Sequence, residues 1–221
     1  MRMRKLPWAI DYIKEQKIVI QDPTTMCGTW KQTCHKDVLH VEIGSGKGDY
    51  WLHMAQKYSD FVWVGIEKNA NVAALALKKH EKLTEPITNA LFINDDAEDI
   101  ANWFEEGEID VIHLNFSDPW PKKRTHKKRL SNIKFIERYA SILSDDGEIQ
   151  MKTDNVSLFE YSILEFQNAN WFLHEFSVDY RREVHDEDTI SEYERKFMDK
   201  NQPIYRAVWK KHQMKTESQI L

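Results

Sequence analysis

Glycine, proline and cysteine are all scarce in this 221-residue chain, at 7, 6 and 2 residues respectively. Collagen-like and Pro/Gly-rich low-complexity classes are thereby excluded. Cys27 and Cys34 have six residues between them. That spacing matches neither a CxxC pair nor a four-ligand zinc pattern, so two reduced thiols are expected. The nine histidines form no HExxH motif, and no metal is expected. No apolar run approaches the roughly 18 residues of a spanning helix. After Met1-Arg2-Met3-Arg4-Lys5, the residues Pro7, Asp11, Lys14 and Glu15 break up any signal-like segment. A soluble cytoplasmic protein with no membrane partner is expected.

What is present is 41% hydrophobic and 30% charged residues, enough for one domain with a full core. The net charge of -5 argues against a uniformly basic nucleic-acid binder. Yet the octet Lys122-Lys123-Arg124-Thr125-His126-Lys127-Lys128-Arg129 holds six of the 31 basic residues, and without it 25 would face 36 acids. An acidic body with one dense basic segment implies a localised polyanion contact, because phosphate binding depends on where charge sits.

From residue 38, short apolar runs alternate with amphipathic segments, the pattern of an α/β fold with a mostly parallel sheet. Strands are expected at 38–43, 61–66, 88–93, 109–116, 147–153, 171–178 and 203–210. A helix is expected over 131–143, capped by Ser131, with Gly147 in the turn that follows. A polar excursion over 179–202, with a helix near 191–199, is long enough to suggest a functional loop. The domain, 38–210, thus carries an N-terminal extension, 1–37, and a polar C-terminal tail, 211–221.

Three of the seven glycines, Gly44, Gly46 and Gly48, fall directly after the first strand in EIGSGKG. Glycines there let the backbone turn sharply and approach a nucleotide-like ligand, beside a helix N-terminus. The spacing is GxGxG, not GxGxxG, and Glu42 stands two positions before Gly44. A carboxylate there repels a pyrophosphate and attracts a cation such as S-adenosylmethionine, which carries an ammonium and a sulfonium. Glu67, 23 residues after Gly44, ends strand two near the offset of about 20 at which an acid takes ribose hydroxyls. By itself it does not separate NAD from an adenosyl methyl donor. Asp95 and Asp96 end strand three, so acids at three successive strand ends share the sheet edge where such folds bind ligands.

Strand four runs into Ser117-Asp118-Pro119-Trp120-Pro121, where two prolines stiffen the turn that carries Asp118 and Trp120. Here the chain resembles a known family. The motifs EIGSGKG, GIE, FSDPWPKKRTHKKRL, KTDN and SEYERKF, in this order, are similar to those of the bacterial tRNA (guanine-N7)-methyltransferases over roughly residues 38–210. The resemblance implies a Rossmann-like class I methyltransferase with a seven-stranded, mostly parallel sheet and helices on both faces. It would use S-adenosylmethionine to methylate N7 of the guanine at position 46, in the variable loop of tRNA.

By the same resemblance, Glu42, Glu67, Asp96 and Asp118 contact S-adenosylmethionine, and Asp118 is the active-site residue. Lys122, Asp154 and Ser191-Glu192-Tyr193-Glu194 contact the substrate, while Arg124, Thr125, His126, Lys127, Lys128 and Arg129 contact the RNA. Ser191 stands where the family usually has Thr, and Asp96 is preferred over Asp95 because Ala97 follows it as in the family. The chemistry agrees: guanine N7 has a lone pair and no proton, so the transfer needs alignment and charge stabilisation but no general base. Asp118 and Asp154 are also suited to accept from guanine N1 and N2 donors, which adenine lacks. Trp120 is suited either to stack on a base or to pack under its loop. The alternatives are a methyltransferase for another RNA or a small molecule, an NAD-dependent oxidoreductase, and a noncatalytic RNA-binding module. Either a monomer or a homodimer is compatible with the sequence.

Overall fold

Seven strands alternate with helices along the chain in a computed structural model, which describes residues 5–211. The strands are β1 (Val38–Ile43), β2 (Phe61–Ile66), β3 (Ala90–Ile93), β4 (Ile109–Asn115), β5 (Leu143–Thr153), β6 (Trp171–Ser177) and β7 (Tyr205–Lys211). They form one sheet in the order β3-β2-β1-β4-β5-β7-β6. β7 pairs antiparallel with both β5 and β6, and the other pairs are parallel. The order reverses at β1, so β1 and β4 part at their carboxyl ends and open a crevice there.

Among the described residues the α-helices are α1 (Ala9–Glu15), α2 (Trp30–Thr33), α3 (Asp49–Lys57), α4 (Ala70–Glu81), α5 (Ile133–Ile142), α6 (Val156–Asn168) and α7 (Glu192–Met198). Leu39, Val41 and Ile43 of β1 join β2, β4, α5 and α6 in one buried cluster. Trp63 and Phe92 join α1, α3 and α4 in a second cluster. Strand side chains alternate between faces, so each cluster covers one side of the sheet. The extension is part of this packing: Trp30 is fully buried against the first cluster, and Val19 bridges to Phe92 of β3.

Two local expectations fail. Ser131 does not cap α5; Asn132 does, accepting from Lys134 N–H, while Ser131 is buried and meets the Ser162 hydroxyl at 2.7 Å. Gly147 lies within β5, not in a turn before it. Leu143 already pairs with Ile109, and the ladder resumes at Val111 with Glu148, so residues 144–147 bulge between the two. The tail is seen only at Lys211; residues 212–221 lie outside the described residues.

Candidate functional site

β1 ends in the glycine loop because its backbone must turn there into α3. Gly44, Gly46 and Gly48 have φ of +78°, +56° and +75°, values that side chains disfavour. They divide by what lies beyond them. A Cβ on Gly44 or Gly46 would meet nothing nearer than 4.0 Å, and both line a cavity of about 520 Å³ at the carboxyl edge of the sheet. Gly48, expected at the cofactor, is the N-cap of α3, where a Cβ would come within 2.9 Å of Ala76 Cβ. Gly48 is thus required by helix packing, and it is not among the residues lining the cavity.

The acids at the strand ends converge on that cavity, whose lining includes Glu42, Glu67, Asp95, Asp96 and Asp118. Glu42 is 2% exposed, and its carboxylate accepts from Trp51 N–H (3.1 Å) and Asn115 Nδ2 (3.0 Å). Burial pushes its pKa up to about 7, against the opposing pull of Asn115, Lys152 and Trp51 N–H. Glu67 accepts from Gly46 N–H at 3.1 Å and Asn69 N–H at 2.7 Å, so it fixes the glycine loop while facing the cavity. Burial raises its pKa as well. Of the two aspartates after β3, Asp95 turns back to accept from Asp96 N–H at 2.7 Å. Asp96 lies 3.5 Å from Lys68 and is exposed.

Asp118 stands exposed at the cavity in a turn strained at both ends, with φ of +50° at Phe116 and +38° at Trp120. Each such non-glycine residue costs on the order of 1–3 kcal/mol and persists only where its surroundings impose it. Arg129 supplies part of that constraint. It was grouped with the RNA-contacting octet, but it is 4% exposed, donates to the Pro119 carbonyl at 2.8 Å and stacks on Tyr161 at 4.3 Å. The octet therefore divides. Lys122, Arg124, Lys127 and Lys128 are exposed, while Thr125 donates to the Lys122 carbonyl and His126 packs edge-on to Tyr161. Lys128 alone of the octet reaches the cavity, with its ammonium 4.9 Å from the Trp120 ring.

The excursion closes the other side. Ser191 N-caps α7, accepting from Glu194 N–H at 3.1 Å, a task that needs only a hydroxyl and so tolerates Ser for Thr. Tyr193 is half exposed beside Phe116, with centroids 5.3 Å apart, and it lines the cavity with Glu192. Glu194, expected to touch substrate, is fully buried, with its carboxylate taken by Lys152 and Arg181. Asp154 is half buried outside the lining residues, and its charge, with that of Asp118, raises the pKa of Tyr193 after burial. Sequence reasoning passed over Asn115 and Lys152. The available signal was position: Asn115 closes β4 and Lys152 stands next to the last residue of β5, at the edge where the site acids lie. Among the described residues, no group of three His, Cys, Asp or Glu is placed to hold a metal, and no helix is long and apolar enough to cross a membrane.

Comparison with known proteins agrees with this architecture. A family described as putative methyltransferase matches residues 36–207. A protein of Oceanobacillus iheyensis named tRNA (guanine-N(7)-)-methyltransferase is 42% identical over 209 residues, covering 94% of this chain and 97% of that protein. Its namesake in Bacillus licheniformis is 40% identical over 214 residues, covering 95% and 100%. Among solved structures, the 16S rRNA methyltransferase KamB aligns with a TM-score of 0.60 at 11% identity, covering 81% of this chain and 89% of that one. A methyltransferase of Aquifex aeolicus described as SAM-dependent aligns at 0.55 and 13% identity, covering 90% and 96%. Those two likenesses speak for the fold alone. The sequence relatives go further: the chain belongs to the tRNA (guanine-N7)-methyltransferase family.

Proposed function

We propose that this protein transfers the methyl group of S-adenosylmethionine to N7 of guanine 46 in the variable loop of tRNA, in the cytoplasm. The observation that carries the reading is the convergence of acids from four strand ends on one cavity bordered by a basic segment. A volume of about 520 Å³ falls within the range of roughly 300–1,000 Å³ for small-molecule sites. Gly44 and Gly46 leave open space beside the backbone, and Glu42 lines the cavity with a carboxyl whose ionised form a cationic ligand would favour. Glu67 is the acid for the ribose hydroxyls and Asp96 for the adenine amino group. When bound, the donor supplies a methyl group on a sulfonium, which the guanine N7 lone pair takes in line.

The chain's own residues position and screen. Asp118, on a turn held at both ends, presents a carboxylate to the guanine as positive charge moves onto the ring. Asp154 offers a second acceptor for the guanine N1 and N2 donors. Tyr193 and Trp120 bound the cavity with aromatic surface for the base. Lys122, Arg124 and Lys127 are exposed to meet phosphates, and Lys128 does so at the cavity rim. The test is incubation of tRNA with the enzyme and methyl-labelled donor, followed by digestion to nucleosides. Label in 7-methylguanosine is expected. Label in another nucleoside would refute the N7 assignment, and no label in RNA would refute the tRNA reading.

A further inference from the structure

Beneath α7 lies an ion network that none of the roles above uses. Lys152 of β5 reaches Asp188 at 2.6 Å and Glu194 at 3.2 Å, and Arg181 reaches Glu194 at 2.6 Å and also pairs with Asp188. The four side chains are between 0% and 6% exposed, so two cations and two anions alternate in a closed ring shielded from water. Three of the four come from the excursion. Lys152 comes from the sheet, where it stands in register with Asn115, the residue that holds Glu42.

A buried ring of this kind is weak evidence for stability, because desolvation of the ions offsets most of their attraction. Its geometry does something else. One ammonium refers the whole 181–194 segment to β5, beside the β4 residue Asn115 that holds the donor-side carboxylate Glu42 of β1. The connection is short, since Glu194 follows the cavity-lining Tyr193 directly and its N–H donates to the capping Ser191 hydroxyl. Lys152 and Glu194 border the cavity wall, but at 1% and 0% exposure their charged ends are engaged in the ring.

We infer that Lys152, Arg181 and Asp188 are positioning residues: through Glu194 they fix α7, and with it Tyr193, at the distance from the donor pocket that methyl transfer requires. This rests on the methyl-transfer reading. An interaction that sets the geometry of approach acts on rate more than on binding, and an error of about 1 Å can cost on the order of 100-fold.

The experiment separates positioning from folding by restoring charge balance without restoring the ring. Lys152→Met and Glu194→Gln are made singly and together, and melting temperature, donor affinity, tRNA affinity and single-turnover rate at saturating substrates are measured. Lys152→Met leaves two acids facing one cation and is expected to melt lower. The double variant leaves Arg181 facing Asp188 in balance. It is expected to recover melting temperature and both affinities while its single-turnover rate stays about 10- to 100-fold below wild type. Recovery of rate together with melting temperature would overturn the inference and leave the ring a purely structural role. Should the double variant fail to fold, Glu194→Gln, which keeps shape, is judged alone: a slowed rate with intact affinities supports the inference, and a wild-type rate overturns it. Absence of transfer by the wild type in the same assay would instead sink the methyl-transfer reading.

Discussion

Replacing Arg129 with Ala separates two readings of the basic segment. The guanidinium donates to Pro119 O at 2.8 Å, reaches Trp120 O at 3.4 Å and lies 4.3 Å from the Tyr161 ring centroid. A charged hydrogen bond contributes about 1.5–3 kcal/mol and a desolvated cation–π contact up to about 2, so with partial relaxation a loss of roughly 2–4 kcal/mol is expected. Much of that loss falls on the turn bearing Asp118, because the strained backbone at Trp120 loses its restraint. The variant is therefore expected to melt lower and to transfer methyl at least about tenfold more slowly at saturating substrates. Its tRNA affinity is expected to keep the wild-type salt dependence, since a side chain 4% exposed releases no counterion on binding. Lys127→Ala and Lys128→Ala serve as the contrast, each flattening the log–log salt slope by about 0.7–0.9 if it loses one phosphate contact. Arg129→Lys is not conservative here, because an ammonium cannot offer the same planar fork to two carbonyls and a ring. Filter binding across a salt series with single-turnover kinetics decides the matter. A slope that falls by one contact in Arg129→Ala, with the rate intact, would return Arg129 to the RNA surface and refute this account.

Three further outcomes follow from the site. Because Glu42 has a pKa of about 7 in the folded chain against 4.5 ordinarily, the ligand-free protein binds more protons folded than unfolded between those values. Stability from this group is therefore fully present below about pH 4.5 and falls by about 3 kcal/mol as pH rises through 7. Denaturant midpoints at pH 5 and pH 8 are expected to differ less in Glu42→Gln than in wild type, and an unchanged difference would contradict the assignment. Gly48→Ala, forced to φ +75° and into Ala76, is expected to cost more than the roughly 1–2 kcal/mol of left-handed strain alone, whereas Gly46→Ala is expected to lose donor affinity with a milder stability cost. Calorimetry and melting of the pair check this, and equal donor affinity in both would contradict it. Asp118→Ala is expected to slow single-turnover transfer far more than it weakens tRNA binding, and near-wild-type turnover would remove Asp118 from the mechanism.

Strand periodicity made the sheet legible, because β1 and β2 are short apolar runs whose two faces both meet helices. The limits arose where neighbouring residues share a propensity. Ser131 and Asn132 both cap helices well, and only the tertiary contact of Ser131 with Ser162 decides between them. Ser144-Asp145-Asp146-Gly147 reads as a turn, yet it is a bulge inside β5, which depends on pairing with β4. At the site, the acids at the strand ends were visible because their spacing follows the βα repeat. Arg129 was misplaced because a run of six basic residues looks uniform in one dimension, and only the fold turns one of them inward. The Lys152 ring was invisible for a related reason: Lys152 on β5 lies 29 or more residues before Arg181, Asp188 and Glu194 of the excursion, with no local pattern to join them.

Methylation at N7 leaves the guanine ring cationic and open to scission after borohydride reduction and aniline treatment. The most direct test of the proposed reaction is therefore to treat folded tRNA with the enzyme and S-adenosylmethionine, then map the cleavage sites. One cut is predicted, at the guanine in position 46 of the variable loop, requiring both components and vanishing when that guanine is replaced by adenine. Labelled methyl in the RNA without any aniline cut, or a cut elsewhere in the molecule, would contradict the account.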